Sequence, residues 1–262
     1  LPFALLDRWL SPVPDPRKVA WIGEQDFAHR GLHGGNIPEN SRTAFARAVA
    51  EGHGIELDVQ RSSDGQPVVF HDDLLERLTA EAGPVARRSA AQLGAIALSG
   101  TVEGATETIP TLRQVLAQVA GKVPLLIEVK SDRHTRIAAL CLAVRRVLEG
   151  YTGQHAVMSF DPRVSRWFWR NSPHTVRGLI VSEGEDRALP GKLRRRLGLW
   201  HARPEFLAYD VRDLPSRFAA GQRRRGLPVA TWTVRETEHD ERAEAYADAA
   251  IFEIHAGSDG HL

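Results

Sequence analysis

The sequence predicts an α/β fold, a single-domain (β/α)8 barrel. Short apolar runs alternate with amphipathic helical patterns about eight times without a long linker, which implies a parallel sheet with helical crossovers. At 262 residues the chain has the length of one such barrel. No internal repeat or low-complexity segment interrupts the series. The expected domain covers residues 1–262, with 1–24 an N-terminal extension packing on the barrel.

Residues 11–17 form a Pro-rich connector into an opening strand at about 26–29. A helix is predicted over 38–51, where Asn40 or Ser41 offers a cap and Ala44, Phe45, Ala48 and Val49 make an apolar stripe. Gly52 and Gly54 stop it, and a strand follows at 55–59. Asp64-Gly65 makes a hairpin-like turn into a short strand over 67–71. Residues 74–110 are the least readable part. Thr108-Ile109-Pro110-Thr111-Leu112 opens a helix running to Val119, and 124–129 is a buried strand. The alternation continues through helix 135–148, strand 156–159, helix 162–170 and strand 176–181. A basic helix near 192–199, strand 206–209 and a helix to about 225 come next. Strand 228–234, helix 238–246 and strand 249–254 complete the series.

Lysine and arginine number 34 against 33 acidic residues, so net charge gives no push toward nucleic acid. No apolar run approaches the roughly eighteen residues a membrane span needs, and no stable membrane insertion is expected. Residues 1–10 are apolar but broken by Asp7 and Arg8, and they lack the features of a signal peptide. The single cysteine, Cys141, excludes an internal disulfide and lies in an apolar helical pattern, as a core residue does. A cytoplasmic setting is expected, with an upstream export signal left open because the chain does not begin with methionine.

The chemistry concentrates between Phe27 and Asp73. A strand alternates its faces, so Glu56 and Asp58 point the same way, and two carboxylates in one space call for a neutralising divalent cation. His29 and His71 sit beside strand-like runs and suit a division of proton transfer into acid and base. Arg30 supplies a planar cationic fork for a phosphate or carboxylate. Metal, acid, base and anion clamp together describe phosphoester cleavage. In a (β/α)8 barrel, His29, Glu56, Asp58, His71, Glu128, Lys130, Ser159 and Trp232 all fall near the mouth at the C-terminal strand ends.

Further motifs carry a resemblance. They are His29-Arg30-Gly31, Pro38-Glu39-Asn40-Ser41, Gly54-Ile55-Glu56-Leu57-Asp58-Val59, Asp64-Gly65-Gln66-Pro67-Val68-Val69-Phe70-His71-Asp72 and Leu75-Glu76-Arg77-Leu78-Thr79. Ile109-Pro110-Thr111-Leu112, Ile127-Glu128-Val129-Lys130, Ser159-Phe160-Asp161 and Trp232-Thr233-Val234 extend it along nearly the whole chain. The chain resembles the glycerophosphodiester phosphodiesterase family. That resemblance implies a TIM barrel, a divalent metal (Mg2+ or Ca2+), and hydrolysis of a small glycerophosphodiester substrate to glycerol 3-phosphate and an alcohol. It implies Glu56, Asp58 and Glu128 as metal ligands, His29 and His71 as the acid–base pair, and Arg30 and Lys130 as phosphate contacts. Trp232 is expected as an apolar wall for the glycerol.

Some expectations stay open or bland. Glu39 and Asn40 are either partners behind the ligands or a helix-start signal. His33, in a Gly-rich loop, is expected to be a loop residue and not a ligand. Trp167-Phe168-Trp169 reads as packing, and the runs Arg194-Arg195-Arg196 and Arg223-Arg224-Arg225 read as solvated faces. Where the family commonly has a Gly and a Thr-Asp pair, this chain has Ala247-Asp248-Ala249-Ala250-Ile251-Phe252-Glu253, so the lining there is expected to differ. Two other functions compete. A lysophospholipase D-type or phosphoinositide-type enzyme needs an exposed apolar rim, which 74–110 does not obviously supply. A non-catalytic phosphate-ester binder needs neither histidine.

Overall fold

The computed structural model describes residues 2–101, 106–131, 136–184 and 188–254. In chain order these hold α1 (Pro2–Leu10), α2 (Pro16–Val19), β1 (Phe27–Ala28), α3 (Arg42–Glu51), β2 (Gly54–Arg61) and β3 (Pro67–Val69). Next come α4 (Ala90–Leu93), α5 (Leu112–Val119), β4 (Leu125–Val129), α6 (Ile137–Leu148), β5 (His155–Ser159), α7 (Pro162–Asn171) and β6 (Val176–Val181). Then follow α8 (Leu189–Ala202), β7 (Phe206–Asp210), α9 (Arg217–Arg225), β8 (Val229–Val234), α10 (Thr237–Tyr246) and β9 (Ala249–Phe252). Among the described residues, no helix is long and apolar enough to cross a membrane.

The elements divide into two compact units, Phe27–His155 with Glu253–Leu262, and Leu1–Asp26 with Ala156–Phe252. In the first, β2 is central, paired in parallel with β1 and β4 and antiparallel with β3. Residues Gly54 to Gln60 are all buried, because a parallel strand is covered on both faces. The antiparallel hairpin follows from the turn at Asp64 and Gly65, whose positive φ of 84° glycine adopts without strain. In the second unit, β5 to β9 pair in parallel with their sequence neighbours, which the helical crossovers between them allow. Gly178 on β6 is needed there, because a Cβ would come within 2.4 Å of the Phe206 ring on β7.

Several boundaries differ from expectation for identifiable reasons. The helix predicted over 38–51 begins at Arg42, because Asn40 takes a left-handed conformation (φ 55°) and Ser41 Oγ accepts the Ala44 N–H at 3.1 Å. The connector at 11–17 is partly helical, since the Asp15 carboxylate caps α2 by accepting the Arg17 N–H at 3.0 Å. Residue 135, predicted to open a helix, lies outside the described residues, and α6 is observed from Ile137. Residues 74–110 build a small core against β3 and Phe70, with Val68, Phe70, Leu75, Val85, Leu93 and Ile109 in one buried cluster that includes the four-residue α4. Each such side chain contributes about 1.5–3 kcal/mol by burial.

The basic runs are not wholly solvated faces. Asp7 is buried in α1 and accepts from Trp200 Nε1 at 2.8 Å and Gln222 Nε2 at 2.9 Å, while Arg196 pairs with it. Arg225 donates to the carbonyls of Asp7 (2.8 Å) and Ser11 (2.6 Å), and Arg223 pairs with Asp248 at 2.8 Å. A buried carboxylate draws arginines from the outer helices inward. Of the aromatic run, Phe168 is fully buried, and Trp169 is flanked by Arg166 and Arg203.

Candidate active site

Glu56 and Asp58 share one face of β2 and are both buried. The parallel register sets Asp58 opposite Glu128 of β4, so a third carboxylate arrives on that face from the neighbouring strand. Glu56, Asp58 and Glu128 each bring one oxygen to within 4.8 Å of the others. Burial raises Glu56 well above the usual carboxylate range, and the charges of Asp58 and Glu128 push the same way. Burial and the Asp58 charge lift Glu128 to about 7. Burial also works to raise Asp58, yet Lys130, Arg30 and His71 together hold it below the ordinary value.

β1 ends with Ala28 level with Ile55, so His29 leaves the strand level with Glu56. Its Nε2 is 3.9 Å from Glu56 Oε2, and its Nδ1 is 2.6 Å from Glu253 Oε1. The chain then turns through two left-handed residues, Arg30 (φ 54°) and Gly31 (φ 79°). The turn aims the Arg30 N–H at Glu56 Oε2, 3.0 Å away. A Cβ on Gly31 would stand 2.9 Å from both Ala44 Cβ and Phe45 Cδ1, so only glycine seats this turn on α3. Arg30 Nη1 donates to Glu39 Oε1 at 2.7 Å, and its Nε lies 3.3 Å from Asp58 Oδ2.

Asn40 ties the parts together. Its amide donates to Asp58 Oδ2 (2.9 Å), its Oδ1 accepts the Asp58 N–H (3.3 Å), and its own N–H donates to the Arg30 carbonyl (2.8 Å). Lys130, just past β4, places Nζ 3.1 Å from Glu128 Oε1 and 3.4 Å from Asp58 Oδ1.

His71 follows β3 on a turn held from β2, where Gln60 Nε2 donates to the carbonyls of Phe70 (2.8 Å) and Asp72 (2.7 Å). Its Nδ1 is 2.6 Å from Asp72 Oδ1. Burial lowers the His71 pKa, and the facing Asp58 charge offsets part of that. Asp72 is drawn down to about 2 by its hydrogen bonds from Arg77, against the opposing effect of burial. Arg77 also donates to both Glu39 oxygens, at 2.7 and 3.0 Å. A continuous chain of charged hydrogen bonds therefore runs Arg30–Glu39–Arg77–Asp72–His71.

The structure thus brings together His29, Arg30, Glu56, Asp58, His71, Glu128 and Lys130. Glu39 and Asn40 prove to be partners of these residues. Trp232, on β8, belongs to the other unit; there its Nε1 donates to the Ala208 carbonyl at 3.1 Å and its ring stands edge-on to Phe160 at 5.4 Å. Ser159 is buried, its Oγ accepting the Asp161 N–H at 3.1 Å. Sequence reasoning missed Glu253 and gave no role to Gln60 or Arg77. The available signal for Glu253 was a carboxylate closing an apolar run, as Glu128 closes Leu125-Leu126-Ile127.

A model of the glycerophosphoryl diester phosphodiesterase family matches residues 29–253. A glycerophosphodiester phosphodiesterase of Caldanaerobacter subterraneus subsp. tengcongensis is 29% identical over 225 residues, 82% of this chain and 88% of that protein. Human glycerophosphodiester phosphodiesterase 1 is 30% identical over 165 residues; the match takes in 59% of this chain and 49% of the human protein. Among solved structures, an Oleispira antarctica phosphodiesterase in complex with the product sn-glycerol-3-phosphate superposes with a TM-score of 0.76 at 26% identity, covering 87% of this chain and 92% of that one. The fold class is the (β/α)8 barrel.

Proposed function

The chain belongs to the glycerophosphoryl diester phosphodiesterase family, and from that premise we propose that it hydrolyses glycerophosphodiesters to glycerol 3-phosphate and an alcohol in a metal-dependent reaction. The observation that carries the proposal is the gathering of Glu56, Asp58 and Glu128 within 4.8 Å, next to histidines whose Nδ1 atoms each meet a carboxylate at 2.6 Å.

The donor set fits a hard divalent ion, Mg2+ or Ca2+. All three ligands are carboxylates; burial first, and their mutual repulsion second, raise Glu56 and Glu128, and a divalent charge relieves both. Bound by Glu56, Asp58 and Glu128, the ion supplies a Lewis acid for the phosphoryl oxygens. Arg30 and Lys130 bind the phosphate and offset charge on its equatorial oxygens. Asn40 holds Asp58 in place from both its amide atoms.

Glu253 and Asp72 accept from Nδ1–H of His29 and His71, which fixes each tautomer and leaves Nε2 for proton transfer. One histidine takes the proton of the attacking oxygen, from water or from the substrate's own glycerol hydroxyl. The other protonates the leaving alkoxide. The same reading takes 1–262 as one catalytic domain, with 1–24 its extension.

The test is product analysis on glycerophosphocholine after metal stripping. Expected are loss of turnover with a chelator, recovery with Mg2+ or Ca2+, glycerol 3-phosphate as product, and loss of turnover in His29→Ala and His71→Ala. Turnover undiminished by chelation, or by either substitution, would refute it. Preference for micellar lysolipids over soluble diesters would move the assignment to a lysophospholipase D.

A further inference from the structure

A second group of ligand-type side chains adjoins the acidic cluster. His29, His33 and Glu253 each offer one donor atom, and these atoms lie within 4.8 Å of one another. The Glu253 carboxylate is already 2.6 Å from His29 Nδ1. The His33 backbone N–H donates to the Gly31 carbonyl at 2.9 Å, so the tight turn that follows His29 also fixes where His33 starts. His33 Nε2 is buried and has no hydrogen-bond partner among the described residues, an unsatisfied state rare for a ring nitrogen.

The two donor sets differ in kind. Three carboxylates select a hard ion with oxygen ligands, whereas two imidazoles and one carboxylate are the set that Zn2+ and its transition-metal neighbours take with an open position. The acidic cluster and this cluster meet at His29, whose Nε2 is 3.9 Å from Glu56 Oε2 while its Nδ1 faces Glu253.

We propose that His29, His33 and Glu253 form an inhibitory transition-metal site, taking Zn2+ or an ion of the same class. The inhibition, though not the site, rests on the proton-transfer role given to His29 above. With no ion bound, Nδ1–H donates to Glu253 and Nε2 keeps its lone pair. An ion coordinated at Nδ1 displaces that proton, which solvent returns to Nε2, so the ring stays neutral. Nε2 then carries a hydrogen and has no lone pair to accept another, and a neutral imidazole is a poor donor of its last proton. His29 is blocked as base and as acid.

The experiment compares wild type with His33→Asn, and with His33→Gln as a second variant. Each is loaded with Mg2+ and dialysed against buffered Zn2+, and bound zinc per chain is measured. Wild type is expected to hold one Zn2+ more than either variant. Co2+ used in its place is expected to give a visible absorption band that disappears in both. Zn2+ should inhibit wild-type hydrolysis of glycerophosphocholine at concentrations lower by about tenfold or more, since weakening even an outer partner of a metal site costs 10–100-fold in affinity. With Mg2+ alone both variants keep the wild-type rate. Equal zinc content and equal Zn2+ sensitivity in wild type and variants overturn the site. If the chain hydrolyses no diester, zinc content and the cobalt band still decide it, so failure of the catalytic reading and failure of this one are separable.

Discussion

If Glu56, Asp58 and Glu128 hold the ion as proposed, its binding displaces protons from the two raised carboxyls. Glu128 ionises at about 7 in the metal-free protein, and Glu56 is raised as well. At pH 6 a group of that pKa is about 90% protonated, and at pH 8 about 10%. A divalent ion requires the ionised form, so binding at pH 6 releases roughly one proton from Glu128, with a further contribution from Glu56. Affinity should therefore rise about tenfold per pH unit below 7, more steeply where Glu56 is also protonated, and level off above about 8. Stability follows the same linkage. A carboxyl whose folded pKa lies above its unfolded value favours the fold at low pH, and that contribution is lost as pH rises through the folded pKa. For Glu128 the loss amounts to about 3 kcal/mol between pH 4.5 and 8 in metal-free protein, and added Mg2+ should reverse it. Calorimetric titrations in two buffers of different ionisation enthalpy count the protons released. Heats independent of buffer, with an affinity flat from pH 5.5 to 7, would refute the reasoning.

Further predictions concern the residues around the cluster. Gly31→Ala combines a left-handed backbone with a Cβ 2.9 Å from Ala44 Cβ and Phe45 Cδ1, and should cost about 2–4 kcal/mol in urea denaturation. Asp7→Ala leaves Arg196, Trp200 and Gln222 without their shared acceptor and should cost about 3–5 kcal/mol; a loss under 1 kcal/mol would contradict the packing described. Glu253→Gln should lower kcat by about 10²-fold or more and distort the pH profile while KM changes little, since it alters a histidine's tautomer and not a phosphate contact; an unchanged profile would remove Glu253 from the proton-transfer apparatus.

Much of the acidic cluster was legible because strand geometry is simple. The two-residue period put Glu56 and Asp58 on one face, and the apolar run before Glu128 marked the neighbouring strand whose register meets them. What escaped were features set by irregular backbone or by distant chain. Asn40 reads equally as a helix-start signal or a partner behind the ligands, because its left-handed turn is fixed by hydrogen bonds to Asp58 and Arg30, which lie far from any local pattern. Residues 74–110 gave no periodicity because their core is built on a four-residue helix and isolated bridges. Glu253 reaches His29 across 224 positions of sequence, and His33 lies in a loop, as expected, yet with a donor atom within 4.8 Å of one on each of them, a proximity no local pattern encodes. The arginine runs on the outer helices were misjudged because Asp7, which draws Arg196 inward, lies near the opposite end of the chain.

Manganese binding followed by electron paramagnetic resonance tests the central claim most directly, because Mn2+ takes the same oxygen ligands as Mg2+ and can be counted. Wild-type protein should bind one such ion with carboxylate ligation, and Glu56→Gln and Glu128→Gln should lose it while staying folded. Binding that is absent in wild type, or unchanged in both variants, would show that these acids hold no metal.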